Sequence, residues 1–586
     1  MIGIRAARRA RVASVLALVS LAHIVSCTSE NPDGDDGGGA GGAESSGGSG
    51  EETGGASSGG AGPSSGGVHN TGGVPSSSGG FGGLGGLGGA SGGTSPAGGS
   101  GGGDTGGTGG TLPDPEIYVS TAADLAGESA YDYGDNEYGI VTGNRLKSWI
   151  EDWEGNRPAG IDGDLVIVQV VAGVTPFYTL ASNEAEGVRS YVVNSAGFNT
   201  PRNNGFSNFE TDIPDGATAD AFFQAYDIDP TEDLIVLTFE QQAATQNSVV
   251  QSVGRAWVFF KYWGTENEHI AILNGSLNFN AKPETYGLAL SIVGEHHHSD
   301  PPENGTFSVR DSWVDHTTLS ISLEDLIGIL EQRVDHPGVD DGIRIVDARG
   351  GAEAYGLLKA TSTGRTNCTS YTGTAPNAKC STPFEGRLKG AQSVPWTQFL
   401  DTAAGGFRFL PKPTVKSIFD TQSGWNNNAE LTIQYCRTNQ RSTVTGIVAS
   451  VILGYPTRFY ETSFIEWGHA SAGPDPTGLG GAGNTQDYPN KHLVDADFAF
   501  RTDLDYLTEH AILHPNDAGA YVPGGTLGTL TQPVTWVDGP NYNLEADVAP
   551  AVPGVWPLLN PAATTTELSI DTDRAYLRHI SIEELP

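Results

Sequence analysis

The residues best suited to chemistry lie in one polar turn between a predicted strand and a predicted helix. Residues 431–435 (LTIQY) form an apolar run rich in β-forming residues, and residues 442–453 carry small and branched apolar side chains at helical spacing. Cys436 therefore falls at the start of a helix, where free backbone N–H groups converge and the helix dipole is positive. A thiol there loses its proton readily, and Arg437 and Arg441 would stabilise the anion. This pattern predicts a cysteine nucleophile, whereas a buried inert thiol would rarely be flanked by arginines.

The remaining side chains of the turn are candidates for binding a small anionic substrate. Arginine guanidinium groups attract charged oxygens, and turn N–H groups stabilise a sulfur anion. Ser442 would either donate its hydroxyl or cap the helix, and capping is favoured. The candidate substrate-binding residues are Arg437, Thr438, Asn439, Gln440, Arg441, Ser442 and, from an upstream segment, Arg387.

The elements around this turn occur twice in the chain. Residues 234–239 (LIVLTF) are followed by a loop, a helix that includes residues 256–263 and then another strand, as residues 431–435 are. Alternating strands and helices with short links predict a parallel sheet covered by helices on both faces. Where the second copy has Cys436, the first has Glu240 and two glutamines, so we expect the first copy to be catalytically silent. It would wall one side of a cleft between domains.

Four ordered segments carry a resemblance to a known family. The segments are residues 343–349 (IRIVDAR), 384–396 (FEGRLKGAQSVPW), the strand, loop and helix of residues 431–453, and residues 454–467, which end in SFIEW. Together they resemble the rhodanese family of sulfurtransferases in its tandem-domain form. The chain departs from the family at Arg387, where a histidine is usual, and at Lys389, where a proline is usual. We expect Asp347 and Arg349 to pair with each other and hold loops together.

The resemblance implies an α/β fold with two rhodanese-like domains, an inactive one at residues 112–304 and a catalytic one at residues 305–470. It implies that Cys436 carries sulfur as a persulfide, without an organic cofactor or metal. The Cys-x4-Arg spacing of Cys436 and Arg441 is shorter than the Cys-x5-Arg loop of phosphatases and arsenate reductases, which favours sulfur transfer. The basic loop favours thiosulfate as the donor and cyanide or a thiol as the acceptor. The alternatives are a 3-mercaptopyruvate sulfurtransferase, a surface sulfur carrier without turnover and a non-catalytic structural lipoprotein.

The first residues predict export. Residues 1–26 combine a basic start with an apolar stretch too short for a usual membrane span, and they end before Cys27 in a sequence that resembles a bacterial lipobox. The resemblance implies a lipidated Cys27 and a protein anchored in the bacterial cell envelope, at the outer membrane, in the periplasm or on the cell surface. The alternative is an ordinary signal peptide that happens to contain cysteine.

Composition defines the rest of the organisation. Glycine makes up 83 of 586 residues, and residues 27–111 are almost only small and polar, so we expect a disordered tether. The formal charge of −38 argues against a nucleic-acid partner. The expected partners are small sulfur donors and acceptors and, through the lipid, a membrane, with the protein a monomer.

Two further features leave alternatives open. Cys368 and Cys380 lie in a polar insertion, where export favours a disulfide over a metal site. We expect the run of three histidines at residues 296–298, which lies at a domain boundary, to be a polar linker rather than a ligand set. Residues 471–586 form an irregular extension of unknown role, with a helix expected at residues 498–513 and a strand at residues 575–582.

Overall fold

Ten strands form two parallel five-stranded sheets, one in each copy of the repeat. The computed structural model describes residues 117–173, 175–203, 208–241, 246–292, 300–355, 370–372, 379–382, 386–401, 406–472, 506–512, 535–538 and 566–585. All of these residues belong to one compact unit. The predicted signal segment, tether, Cys27, Cys368 and histidine run lie outside the described residues.

The first sheet is built from strands of the first copy. They are β1 (Gly139–Val141), β2 (Leu165–Val171), β3 (Val188–Asn194), β4 (Leu234–Thr238) and β5 (Ile270–Leu273). Their order across the sheet is β1-β5-β4-β2-β3, and every neighbouring pair is parallel.

The second sheet repeats this topology strand for strand. Its strands are β6 (Ser320–Ile321), β7 (Ile343–Asp347), β8 (Gln392–Ser393), β9 (Leu431–Tyr435) and β10 (Thr457–Tyr460). Their order is β6-β10-β9-β7-β8, again with parallel neighbours throughout. The prediction of an α/β fold with two parallel sheets is confirmed.

Helices cover both sheets. They include α1 (Gly143–Glu151), α2 (Gly216–Tyr226), α3 (Gln246–Tyr262), α4 (Leu323–Asp335), α5 (Gly351–Ala354), α6 (Lys412–Ser423), α7 (Arg441–Ile447), α8 (Ser463–Ala472) and α9 (Thr566–Leu577). A π-helical turn, Val448–Ile452, continues α7. Ser322 caps α4 by accepting a hydrogen bond from the N–H of Asp325, as its position predicts.

Shorter elements connect the layers. The other strands of this part of the chain are Tyr118–Val119, Tyr178–Thr179, Thr200–Asn203, Asn208–Asp212, Ser291–Ile292, Val314–Asp315, Ser370–Thr372, Lys379–Thr382, Arg387–Leu388, Leu400–Asp401 and Arg408–Phe409. Two further one-turn helices are Trp153–Asn156 and Leu277–Asn280.

The central strands are buried on both faces because helices cover the sheets from both sides. In β2, Val166 and Val168 join the largest apolar cluster, and the alternate residues Leu165 and Ile167 join a second cluster on the opposite face. The largest cluster contains side chains from both copies, so the two sheets share one core.

Helices α3 and α7 make a close approach between the copies. Gly254 of α3 lies against Thr443 of α7, and a Cβ at Gly254 would overlap the Thr443 side chain. Trp257, one turn along α3, packs edge-on against Phe459 of β10 with ring centroids 6.4 Å apart. A residue without a side chain therefore allows the first copy to contact the helix that follows Cys436.

The C-terminal extension contains ordered elements that differ from the expectation. The strand β11 (Thr508–Ile512) lies where part of a helix is expected, and it pairs with Arg387–Leu388 and with β12 (Thr535–Asp538). The expected strand at residues 575–582 is wrong, because residues up to Leu577 belong to α9. The face that α9 buries follows the helical spacing of Ile570, Asp573 and Leu577.

Helix α9 contacts both copies. The hydroxyl of Tyr576 donates to Asp220 of α2 at 2.5 Å, and Tyr262 of α3 donates to Asp573 at 2.9 Å. Arg574 donates to the hydroxyl of Thr317, just before β6, at 2.9 Å.

Within the described part of the chain, no helix is both long and apolar enough to span a bilayer.

The contact at Gly254 predicts opposite effects for two glycine-to-alanine changes. Gly254→Ala forces a methyl group into Thr443 and should destabilise the protein by about 1–3 kcal/mol. Gly328→Ala, in the middle of α4 with open space around it, should stabilise it by about 0.5–1 kcal/mol. Chemical unfolding of both variants checks this. Equal shifts in the same direction would contradict the close approach of α3 and α7.

Candidate active site

Cys436 directly follows β9, and α7 begins at Arg441, as the sequence predicts. Strand β9 lies beside β7, so the loop containing Cys436 meets the end of β7 at the carboxyl edge of the second sheet. The Cys436 side chain is fully buried, and its thiol is not part of a disulfide. The loop of residues 436–440 is therefore a tight turn between a strand and a helix, as a nucleophile's loop requires.

The hydroxyl of Ser463 holds the backbone of this loop. It accepts hydrogen bonds from the N–H groups of Cys436 and Asn439 at 3.3 and 3.0 Å, and donates to the carbonyl of Tyr460 at 2.9 Å. Asn439 and Ser463 both have positive φ angles, 52° and 56°. The N–H of Cys436 thus points to Ser463, and other donors surround the sulfur. Sequence reasoning did not select Ser463, although it begins the SFIEW segment.

The surroundings of Cys436 favour its thiolate. Burial alone raises the pKa of the thiol, but the charge of Arg441 and hydrogen bonds from Ser442 and from the N–H of Thr438 outweigh burial, so the pKa lies below its ordinary value. The Ser442 hydroxyl also lies 2.5 Å from the side-chain oxygen of Asn439. A hydroxyl has one proton, so Ser442 donates either to the sulfur or to Asn439.

A buried carboxylate that sequence reasoning missed pairs with both loop arginines. Glu353 of α5 forms ion pairs with Arg437 and Arg441, and a second oxygen-to-nitrogen contact with Arg441 measures 3.3 Å. Burial opposes its charge, but the two arginines, a hydrogen bond from Arg441 and the charge of Arg349 together lower the pKa of Glu353 to about 2. Glu353 is therefore ionised at physiological pH, and the arginines do not act as two free positive charges.

Two further arginines lie near this edge of the sheet. Arg349 donates to Asp347 at 2.6 Å, and both side chains are fully buried, so the expected pairing of these residues is confirmed. Arg387 pairs with Glu509 of β11 at 3.1 Å. Its assignment to substrate binding stays a prediction.

The first copy contributes side chains that contact the loop. The hydroxyl of Thr211 donates to the carbonyl of Thr438 at 3.2 Å, and the amide of Gln440 donates to Asn199 at 3.1 Å. The Thr443 hydroxyl donates to the carbonyl of Gln440 in its own loop at 2.7 Å and lies 3.4 Å from the carbonyl of Gln251 in the first copy. The predicted substrate-binding residues of the turn are thus also residues by which the first copy holds the loop.

A buried ion pair between the copies completes this support. Arg255 of α3 pairs with Glu461, just after β10, and their side chains are 0% and 4% exposed. Glu461 accepts a hydrogen bond from the side chain of Asn439 at 2.5 Å. Burial raises the pKa of Glu461 to about 7 although Arg255 favours the ionised form. Asn439 is thereby oriented by a carboxylate that the first copy holds in place.

The described residues of the corresponding loop in the first copy, 239–241, include no cysteine. Glu240, two residues beyond the end of β4, accepts a hydrogen bond from the N–H of Phe177 at 2.7 Å. The N–H of Gln241 donates to Asn278 at 2.7 Å. Within the described ranges no group of three or more His, Cys, Asp or Glu side chains is arranged to hold a metal. The predicted pairing of Cys380 with Cys368 stays a prediction, because Cys368 lies outside those ranges.

Comparison with known proteins gives only distant likenesses. No family model and no curated protein matches this chain. Among solved structures, Tum1 from Saccharomyces cerevisiae is 12% identical, with 58% of this chain and 97% of that chain covered and a TM-score of 0.38. The 3-mercaptopyruvate sulfurtransferase from Leishmania major is 10% identical over 56% of this chain and 74% of its own, with a TM-score of 0.37.

A third structure, SseA from Escherichia coli, is described as a 3-mercaptopyruvate sulfotransferase with the "Rhodanese" fold. It is 16% identical, covers 56% of this chain and 98% of its own, and has a TM-score of 0.35. At these identities and TM-scores the likeness carries no argument about activity.

The charge of Arg441 predicts a measurable change in cysteine ionisation. Arg441→Gln removes the largest influence that lowers the pKa of Cys436, so the pKa should rise. The check is the rate at which iodoacetamide alkylates the Cys436 peptide as a function of pH, followed by mass spectrometry. Arg437→Gln is the matched control in the same loop and should shift the profile less. Equal shifts would contradict the dominant role of Arg441.

The buried ion pair between Arg255 and Glu461 predicts that removing one partner destabilises the protein and that removing the second partner as well recovers part of the loss. Arg255→Met leaves Glu461 without its buried partner and should destabilise the protein by about 3–5 kcal/mol. Adding Glu461→Gln to it removes the lone carboxylate and should recover part of the loss. Unfolding free energies of the two single variants and the double variant test this coupling, and strictly additive losses would argue against it.

Proposed function

We propose that this protein is a sulfurtransferase that carries sulfane sulfur as a persulfide on Cys436. The observation that supports it best is the buried Cys436 thiol, whose pKa is lowered by Arg441, Ser442 and the N–H of Thr438 at the start of α7. A thiolate held by fixed donors both attacks sulfur and stabilises the persulfide anion that results. The motif resemblance to the rhodanese family points to the same chemistry.

In the first half-reaction the Cys436 thiolate attacks the outer sulfur of thiosulfate. The new S–S bond forms on Cys436, the S–S bond of thiosulfate breaks, and sulfite leaves with the bonding electron pair. In the second half-reaction cyanide, or a thiolate, attacks the outer sulfur of the persulfide. Thiocyanate or a small persulfide leaves, and the Cys436 thiolate is regenerated without an external oxidant, organic cofactor or metal.

We propose thiosulfate as the donor because Arg437 and Arg441 would attract its sulfonate oxygens. The contact of both arginines with Glu353 favours a second candidate, 3-mercaptopyruvate, whose single carboxylate needs less positive charge. In that reaction the C–S bond breaks, and the thiol proton of the donor ends on the carbon that becomes the methyl group of pyruvate. The non-enzymatic alternative is a sulfur carrier, which would hold sulfane sulfur on Cys436 without turnover.

We also propose that the protein acts outside the cytoplasm as a monomer held to a bacterial membrane by lipid on Cys27. Support comes from the basic and apolar residues 1–26 and from the sequence that ends at Cys27. The formal charge of −38 would keep such a protein soluble beside a negatively charged membrane surface.

Thiocyanate production tests the proposal. With thiosulfate and cyanide, the wild-type protein should turn over many times, and Cys436→Ser should lose activity by at least about a thousandfold, because the persulfide-bearing atom is gone. Arg408→Gln, an exposed arginine paired with Asp401 away from the loop, is the control and should keep full activity. A single stoichiometric burst would favour the carrier, and equal rates in wild type and Cys436→Ser would refute sulfur transfer at this site.

A further inference from the structure

The charge around Cys436 is balanced by one carboxylate that the proposed mechanism does not use. Glu353 contacts both loop arginines and is the most deeply buried of the three, with its side chain 6% exposed against 17% for Arg437 and 21% for Arg441. The two arginine side chains are therefore more accessible to solvent than the carboxylate that they contact. Arg349, the next arginine at this edge, is already paired with Asp347.

The charges can be counted directly. Arg437 and Arg441 contribute two positive charges, and Glu353 removes one of them at any physiological pH, since the pKa of Glu353 is about 2. The thiolate of Cys436 removes the other. The loop is therefore close to neutral before a donor arrives and again when it carries the persulfide anion. The loop therefore attracts a dianion less strongly than the two arginines would without the carboxylate, and the reduction is half as large for a monoanion.

We propose that Glu353 tunes donor specificity: by lowering the positive charge of the loop, it reduces the advantage that a dianion such as thiosulfate would otherwise have over a singly charged sulfane-sulfur donor. This inference rests on the proposed sulfurtransferase function. Glu353 acts through Arg437 and Arg441 and takes no part in bond making. Bracing the two arginines could be done by a neutral hydrogen-bond acceptor, but only a carboxylate also cancels charge.

Two donors that differ in charge make the test direct. Thiosulfate is a dianion, and methanethiosulfonate is a monoanion in which a methyl group replaces one charged oxygen. In both, the Cys436 thiolate attacks the outer sulfur and the donor's S–S bond breaks. Sulfite leaves from one and methanesulfinate from the other, each with the bonding electron pair, and the same persulfide anion remains. The donors therefore share one product on the protein.

The measurement is the second-order rate constant of persulfide formation on Cys436, followed by quenching and mass spectrometry at constant ionic strength. In Glu353→Gln the preference for methanethiosulfonate over thiosulfate should fall about tenfold relative to wild type, because added positive charge acts twice as strongly on a dianion. Glu353→Asp, which keeps the charge, should retain the wild-type preference. Glu151→Gln, which removes an exposed charge from α1, should change neither rate.

An unchanged donor ratio in Glu353→Gln, with both rates altered equally, would show that Glu353 only braces the loop and would overturn this inference alone. A fall of the ratio in Glu353→Asp would overturn it as well. Inhibition provides an independent check, since Glu353→Gln should strengthen inhibition of persulfide formation by sulfate more than inhibition by methanesulfonate, and an equal change for both anions would refute the charge argument. Absence of persulfide with both donors in every form would overturn the proposed function itself.

Discussion

The ion pair between Arg255 and Glu461 is the interaction on which the arrangement of the site depends. Both side chains are almost completely buried, and each comes from a different copy of the repeat. A charge in that position requires its partner, since an unpaired buried charge is strongly destabilising. Glu461 in turn holds the side chain of Asn439, which contacts Ser442 beside the thiol. The approach of α3 to α7 at Gly254 brings Arg255 within reach.

The two copies therefore have different tasks within one topology. Both place a loop after the fourth strand of the chain order, at the centre of a parallel sheet, where ligands commonly bind. The second copy has Cys436 and two arginines there. The first copy has Glu240, which accepts a hydrogen bond from the backbone N–H of Phe177 in the same copy. The first copy instead contributes Asn199, Thr211 and Arg255 to the support of the second copy's loop. The first copy lacks the cysteine, and its side chains hold the loop of the second copy, which has it.

Sequence reasoning succeeded where local pattern and local chemistry agree. The strand Leu431–Tyr435 has the predicted bounds, because parallel strands buried on both faces are largely apolar runs. The position of Cys436 between strand and helix followed from the same pattern. Glu353 could not be found this way, because its pairing with Arg441 joins residues 88 positions apart and nothing in the segment around it marks an ion pair. Ser463 was within a quoted motif, but its bonds to the loop depend on a backbone turn with positive φ.

The secondary structure of the C-terminal elements could not be predicted from local sequence pattern. Strand β11 is the middle strand of a three-stranded antiparallel sheet, and both of its partners, Arg387–Leu388 and β12, are distant from it in the sequence. Helix α9 is specified by the surface of α2 and by the segment before β6, where Asp220 and Thr317 accept its hydrogen bonds. Tertiary contacts of this kind override local propensity, so a single-sequence pattern assigns such segments poorly.

The position of α9 has a consequence for how the protein matures. Its contacts with Asp220 and Thr317 reach back 356 and 257 positions along the chain, to elements of both copies. During synthesis both copies leave the ribosome long before this helix does, so they must remain associated without the segment that later fastens them together. A polypeptide terminated before residue 566 would lack the hydrogen bonds by which α9 joins the two copies. Such a polypeptide would be more exposed to quality-control proteases.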